Sequence, residues 1–103
     1  MYIVNIYLPQ VNNAGMLFNE EIYLNIRQEL IQKFGGLTQY DQMPAIGYWK
    51  ENADKPIHKD LVIHYEVICH RLTKKYWAEL RTRLEHIFQQ TQVLIVAHPI
   101  VAL

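Results

Sequence analysis

The hydrophobic residues of this chain alternate with polar ones in some segments and recur every three to four positions in others. Alternation is typical of strands with one buried face, and the longer period is typical of amphipathic helices. The pattern predicts a strand over Tyr2–Leu8, a helix over Asn19–Phe34, two strand segments over Leu37–Tyr40 and Ala45–Trp49 joined by a bulge, a strand over Asp60–His70, a helix over Thr73–Gln90 and an apolar strand over Gln92–His98.

The predicted helices carry terminal signals of different strength. Asn19 is a good N-cap residue, and the two glutamates that follow it suit the positive end of the helix dipole. Gly35 stands where a helix commonly ends in a left-handed residue. Thr73 is the candidate cap of the second helix. Between the elements, Gln10–Phe18 and the polar segment Lys50–Lys59 are predicted to be loops.

The order β-α-β-β-α-β predicts an α+β domain with a ferredoxin-like sandwich. In this architecture two right-handed βαβ units share a four-stranded antiparallel sheet in the order 4-1-3-2, with both helices on one face. A chain of 103 residues has room for one such domain, spanning residues 1–103. Helical hairpins with separate β-ribbons are the alternative.

The parity of the strands divides the sheet into a helix-covered face and an open face. Leu61, Ile63, Tyr65, Val67 and Cys69 share the first parity, which predicts a buried, unreactive Cys69. The opposite face is half apolar, and the last strand is apolar at both parities, which is typical of burial on both sides. A second copy is the simplest cover, so the sequence predicts a homodimer. By parity, the open face carries Ile3, Asn5, Tyr7, Val62, His64, Glu66 and Ile68.

Composition and charge narrow the classes of function. Lys+Arg and Asp+Glu are both 10, and this balance disfavours nucleic-acid binding driven by net charge. The second helix is rich in Lys and Arg, but Lys75/Glu79, Glu79/Arg83 and Arg81/Glu85 have the spacing of ion pairs within a helix. A single cysteine favours a reducing, cytoplasmic location. No stretch has the length and composition of a signal peptide or a membrane span, so no membrane partner is expected.

Short motifs after residue 32 resemble those of a group of small uncharacterised bacterial proteins. The resemblance implies a ferredoxin-like fold and no established activity. It is carried by Phe34-Gly35-Gly36-Leu37-Thr38, Gly47-Tyr48-Trp49, Tyr65-Glu66-Val67, Trp77, Leu84-Glu85 and Phe88-Gln89.

The candidate chemistry lies on the open face. His64 and Glu66 are two residues apart on one strand and point to the same side, so they form a candidate general base with its orienting carboxylate. Tyr7 is the candidate acid of the same catalytic set. A small-molecule site would use Tyr7, His64 and Glu66 together with Asn5 and His98. A metal needs three or four converging ligands, so neither a metal nor another cofactor is predicted.

Three functions are compatible with these residues. The first is a homodimeric binding or regulatory protein with a small-molecule pocket on the open face. The second is a cofactor-free enzyme of the dimeric α+β-barrel kind that uses the His64–Glu66 pair. The third is an RNA-associated ferredoxin-like module. The fold accommodates all three, so the geometry of the site must discriminate between them.

Overall fold

The structure, a computed structural model, describes residues 1–50 and 52–103, with the side chains of residues 41–45, 58 and 59 outside the description. The predicted α+β class is confirmed, with two helices and an antiparallel sheet. In chain order the elements are β1 (Tyr2–Pro9), α1 (Glu20–Phe34), β2 (Thr38–Trp49), β3 (His58–Cys69), α2 (Lys74–Ile87) and β4 (Leu94–Pro99).

The strands pair in the order β2-β3-β1-β4, with every neighbouring pair antiparallel. The core-facing residues of β1 and β3 and the buried residues of both helices belong to one continuous hydrophobic cluster. Both helices therefore cover the same face of the sheet and leave the other face open. On that covered face the largest side chains with almost no exposure are Tyr65, Phe88, Ile6, Leu8, Leu30, Leu80 and Leu84.

Helix α1 begins and ends as the sequence predicts. The Asn19 side chain accepts a hydrogen bond from the Glu21 backbone N–H, so one otherwise unpaired donor of the first turn is satisfied. At the other end, Gly35 has φ 87° and its N–H donates to the Ile31 carbonyl. Between these ends the helix buries Tyr23, Ile26 and Leu30, whereas Ile31 is largely exposed.

Helix α2 differs from its prediction at both ends. The Thr73 side chain makes no capping hydrogen bond, and the helix stops at Ile87, three residues before the predicted end. Gln89 has positive φ, which helical geometry does not allow. This early turn lets the chain reverse into β4. Of the large apolar side chains along α2 and its C-cap, Trp77, Leu80, Leu84 and Phe88 are buried, while Tyr76 is partly buried and Ile87 is exposed.

The predicted bulge in β2 is present as a shift of register. Tyr40 is paired with His64 and residue 45 with Val62, so five positions along β2 match two along β3. The loop expected over residues 50–59 is shorter than predicted, because β3 begins at His58. Glu51, within that loop, lies outside the described residues. In the predicted loop Gln10–Phe18, Val11 and Leu17 form an isolated bridge.

Two predictions about burial have different outcomes in the single chain. Cys69 is buried, as expected, and this burial raises the pKa of its thiol, which disfavours the reactive thiolate. Strand β4 is not buried on both sides: Ile95 packs against the core, whereas Leu94 and Val96 on the open face remain 49% and 40% exposed.

Candidate functional site

The register of the strands arranges the open face in transverse rows of side chains. One row, which we call the aromatic row, contains Tyr40, His64, Tyr7 and Leu94, one from each strand in sheet order. The next row, which we call the polar row, contains Thr38, Glu66, Asn5 and Val96. Asn5, Tyr7, His64 and Glu66, which the sequence nominated as site residues, therefore occupy two adjacent rows.

The centre of the aromatic row is a stack of three rings. The His64 imidazole lies between Tyr7, with ring centroids 4.7 Å apart and planes 17° apart, and Tyr40, at 4.9 Å and 24°. Such spacing follows the separation of neighbouring strands, about 4.8 Å. The stack restricts the His64 ring to one orientation, although the face it stands on is not covered by either helix.

Asn5 fixes the same ring through a hydrogen bond. The His64 Nε2 atom lies 2.7 Å from the Asn5 side-chain amide, a distance at which the two form a hydrogen bond that orients the ring. Asn5 is only 8% exposed because its short side chain lies among longer neighbours on an otherwise open surface. Among the described residues the second nitrogen, Nδ1, has no hydrogen-bond partner, so the arrangement presents an oriented imidazole with one nitrogen open.

Glu66 lies directly opposite Asn5 in the register and is partly buried. Within the described part of the chain, its carboxylate has neither a hydrogen bond nor an ion pair. Glu66 also lines a shallow groove of about 280 Å³, which continues from the polar row past the end of β2. The remaining lining residues are Phe34, Gly36, Leu37, Thr38 and Ile68.

His98 lies on the open face but is remote from His64. Its register partner is Ile3, and the row that contains them is two rows away from the aromatic row. Four residues along a strand correspond to about 13 Å, and the two side chains are also two strands apart. The structure therefore does not bring His98 to the imidazole of His64, and it groups only the other four nominated residues.

Tyr40 was not identified from the sequence, although it completes the ring stack. Its strand is interrupted by the bulge, and the alternation of β2 changes phase across it, so parity along β2 gives no continuous face. Tyr40 could have been identified from the pairing of β2 with β3, because aligning these two strands as a hairpin places Tyr40 opposite His64.

The ion pairs expected along α2 are replaced by a bond between the helices. Arg83 donates to Glu29 of α1 through both terminal nitrogens, at 3.0 and 2.7 Å, rather than pairing with Glu79. Among residues 1–50 and 52–103, neither Lys75/Glu79 nor Arg81/Glu85 forms a salt bridge; Glu85 instead accepts a hydrogen bond from the Val93 backbone. The basic surface of α2 is therefore less compensated than the spacing suggested.

The described residues contain neither a cluster of metal ligands nor a membrane-spanning helix. Within the described residues, no three His, Cys, Asp or Glu side chains are grouped as the ligands of a metal ion would be. No helix in the same residues is long and apolar enough to cross a membrane.

Comparison with known proteins gives a similarity of structure only. No protein-family model and no curated protein sequence matches the chain. The structure is similar to that of a phage SAM lyase solved in complex with S-methyl-5′-thioadenosine, with a TM-score of 0.64 and 10% sequence identity, covering 94% of this chain and 79% of the lyase chain. At this identity the similarity concerns the fold.

Proposed function

We propose that the protein is a ferredoxin-like domain that binds a small organic molecule on its open sheet face and acts as a homodimeric binding or regulatory protein. The fold assignment is supported by the order of elements, the order of strands and the similarity to the phage lyase. The resemblance of the sequence motifs to small bacterial proteins agrees with it.

The observation that carries the proposal is the fixed His64 ring. Asn5 and the two tyrosines hold an imidazole in one orientation on a face that neither helix covers. A helix-free sheet face needs no such ordering for stability, and the surface also exposes large apolar side chains, with Ile68 48% and Leu94 49% accessible. Convergent polar groups beside apolar and aromatic walls are the usual composition of a small-molecule site.

A second copy supplies the cover that the groove lacks. The groove of about 280 Å³ is open to solvent and is slightly smaller than the roughly 300–1,000 Å³ of ligand pockets. Two open faces packed around a two-fold axis would enclose the polar rows of both subunits and bury their exposed apolar residues. The dimer therefore belongs to the same proposal as the site.

The test is a titration of the ¹⁵N-labelled protein with a set of small aromatic fragments and with S-methyl-5′-thioadenosine, followed by NMR. We expect the perturbed amides to cluster on β1 and β3 in the polar and aromatic rows. His64→Ala should weaken the tightest probe at least tenfold, whereas His98→Ala, on the same face but in a remote row, should leave its affinity unchanged. Perturbations confined to the helices, or equal effects of the two variants, would contradict the proposal.

A second candidate is an enzyme that uses His64, Glu66 and Tyr7, and one observation favours it. The phage protein of similar structure is a SAM lyase, and His64 stands one row from Glu66, whose carboxylate has no partner in the part of the chain that the structure describes. Incubation with SAM, followed by chromatography, should show its loss with the wild-type protein and a slower loss with Tyr7→Phe. SAM consumption no faster than in buffer would exclude this lyase activity.

A further inference from the structure

The segment that follows β4, residues 101–103, is apolar and exposed; we call it the exit segment. The Ile100 backbone N–H donates to the Met1 carbonyl at 3.0 Å, so the chain stays beside β1 up to that point. Beyond it, Val101 is 86% exposed and Leu103 is fully exposed. From residue 91 to residue 103 the chain has no Asp, Glu, Lys or Arg. A contiguous apolar surface of this kind usually marks an interaction site.

The groove lies at the same end of the sheet as the exit segment, but toward the opposite lateral edge. Ile68, in the groove wall, is in register with Ile3, and Ile3 is in register with His98, near the end of β4. From β3 the groove extends toward Phe34 and Leu37, on the side away from β4. Neighbouring strands are about 4.8 Å apart, so the near wall of the groove is about 10 Å from β4.

Within one chain, the exit segment is poorly placed to fill this groove. It would have to turn back across β1 to reach the near wall on β3. Three extended residues span at most about 11 Å, so only the last of them would arrive there. The rest of the segment would lie over β1 rather than between the apolar walls of the groove.

A two-fold axis parallel to the strands brings the two features together. Rotation about such an axis, placed between two open faces, keeps the end of the sheet and exchanges its lateral edges. The β4 edge of one copy then faces the β2 edge of the other, so both exit segments meet the partner's groove at once, as an isologous interface requires. A two-fold axis perpendicular to the strands would instead bring the exit segment to the partner's β4, near Leu94.

We propose that the exit segment of each copy packs in the groove of a second copy, related by a two-fold axis parallel to the strands. Its apolar side chains contact Phe34, Leu37 and Ile68, and Ile68 is 48% exposed in the single chain. This inference rests on the proposed function, because it names the part of the partner that covers the groove and completes the small-molecule site.

The first experiment cross-links cysteines introduced in different chains. Chains that carry Leu103→Cys are co-expressed with larger, tagged chains that carry Ile68→Cys, and the oxidised products are separated without reductant. A mixed disulfide forms only between two chains and requires Cα atoms within about 7 Å. We expect at least tenfold more of it than with Leu94→Cys, the matched control, because Leu94 is 49% exposed on the same face but at the other end of the sheet. The native Cys69 is buried and common to all chains.

The second experiment changes the chemistry of the exit segment. Val101→Asp should raise the dissociation constant of the dimer at least tenfold, because it removes an apolar contact and places a carboxylate in an apolar groove. Ile57→Asp is the matched control, since Ile57 is 63% exposed in the loop at the other end of the sheet, and it should leave the constant unchanged. Sedimentation over a dilution series measures both, and thermal unfolding verifies that each variant is folded.

The outcomes separate this inference from the proposed function. As much cross-linking at Leu94 as at Ile68, no cross-link in an intact dimer, or an unchanged dimer in Val101→Asp would overturn the inference and leave the proposed site standing. A wild-type monomer at micromolar concentration would remove the dimer from the proposed function itself. If the mixed disulfide forms but no fragment perturbs the open face, the exchange of exit segments stands and the small-molecule site fails.

Discussion

At the level of single residues, one polar cluster joins the two helices. Glu29 of α1 accepts two hydrogen bonds from Arg83 of α2 and a third, at 2.6 Å, from the Tyr76 hydroxyl. The Arg83 guanidinium is the main cause of a lowered pKa at the Glu29 carboxyl, against the opposing effect of burial. Burial, followed by the hydrogen bond to Glu29, raises the pKa of Tyr76. The cluster is therefore held in one charge state, with Glu29 ionised and Tyr76 neutral.

Glu29→Gln should lower the stability of the fold by about 1 kcal/mol at pH 7, a modest value because the two charged side chains are partly exposed and screened. The pKa of Glu29 is lower in the folded than in the unfolded chain, so its stabilisation is complete above the ordinary value of 4.5 and is lost as the pH falls through the folded pKa. Urea unfolding at several pH values measures this. The difference from wild type should shrink in acid, whereas Glu79→Gln should show little difference at any pH.

The site also shows which residues could be predicted individually. Alternation on β1 and β3 placed Asn5, Tyr7, His64 and Glu66 on the open face, because in an uninterrupted strand parity alone determines the face. The near-complete burial of Asn5 and the ring stack depend on pairing between strands, which is not local information. For the same reason, Tyr40 and the remoteness of His98 emerged only from the register.

At the level of elements, the hydrophobic repeat predicted the type of each helix and strand better than the residues at which it begins and ends. The apolar stripe of α1 and its two caps fixed that helix to within a residue. Helix α2 has neither a capping side chain nor a glycine at its end, and its last predicted turn is replaced by a reversal at Gln89. The backbone N–H groups of Phe88, Gln89 and Gln90 all donate to carbonyls of the last turn, so α2 ends in a local turn that no capping residue marks in the sequence.

The C-terminus of α1 allows a controlled test of backbone conformation. Gly35 has φ +87°, whereas neighbouring Gly36 does not have a positive φ of this kind, and at either position an added Cβ would meet nothing within 4 Å. Gly35→Ala should therefore destabilise the protein by about 1 kcal/mol through left-handed strain alone. For a domain of this size, this corresponds to a decrease in Tm of roughly 4–8 °C.

Gly36→Ala is the matched control, since it adds the same methyl group without this strain. Its Tm should stay within about a degree of wild type or rise slightly, because alanine restricts the unfolded chain. Equal decreases in the two variants by calorimetry would show that contacts, rather than conformation, determine the effect.

At the level of the whole molecule, the unequal faces of the sheet are the feature that needs a physical explanation. One face is covered by two helices and contains the core, while the other exposes Tyr40, Ile68, Leu94 and Val96 to between 40% and 49%. A net charge of zero provides little electrostatic repulsion between copies. These properties favour self-association through the open face, and they are the basis of the last prediction.

Val96→Lys tests that association because Val96 lies in the polar row, 40% exposed in the single chain. In a monomer the lysine would remain in water and would change the stability of the fold little. In a face-to-face dimer it would place an unpaired charge at each equivalent position of the interface, which costs several kcal/mol.

Light scattering should give about twice the chain mass of 12.3 kDa for the wild type and the mass of one chain for the variant. Gln28→Lys makes the same change of charge on the exposed surface of α1 and should leave the dimer intact. A wild-type monomer at micromolar concentration would contradict the dimer, and a dimer that persists in Val96→Lys would place its interface elsewhere on the molecule.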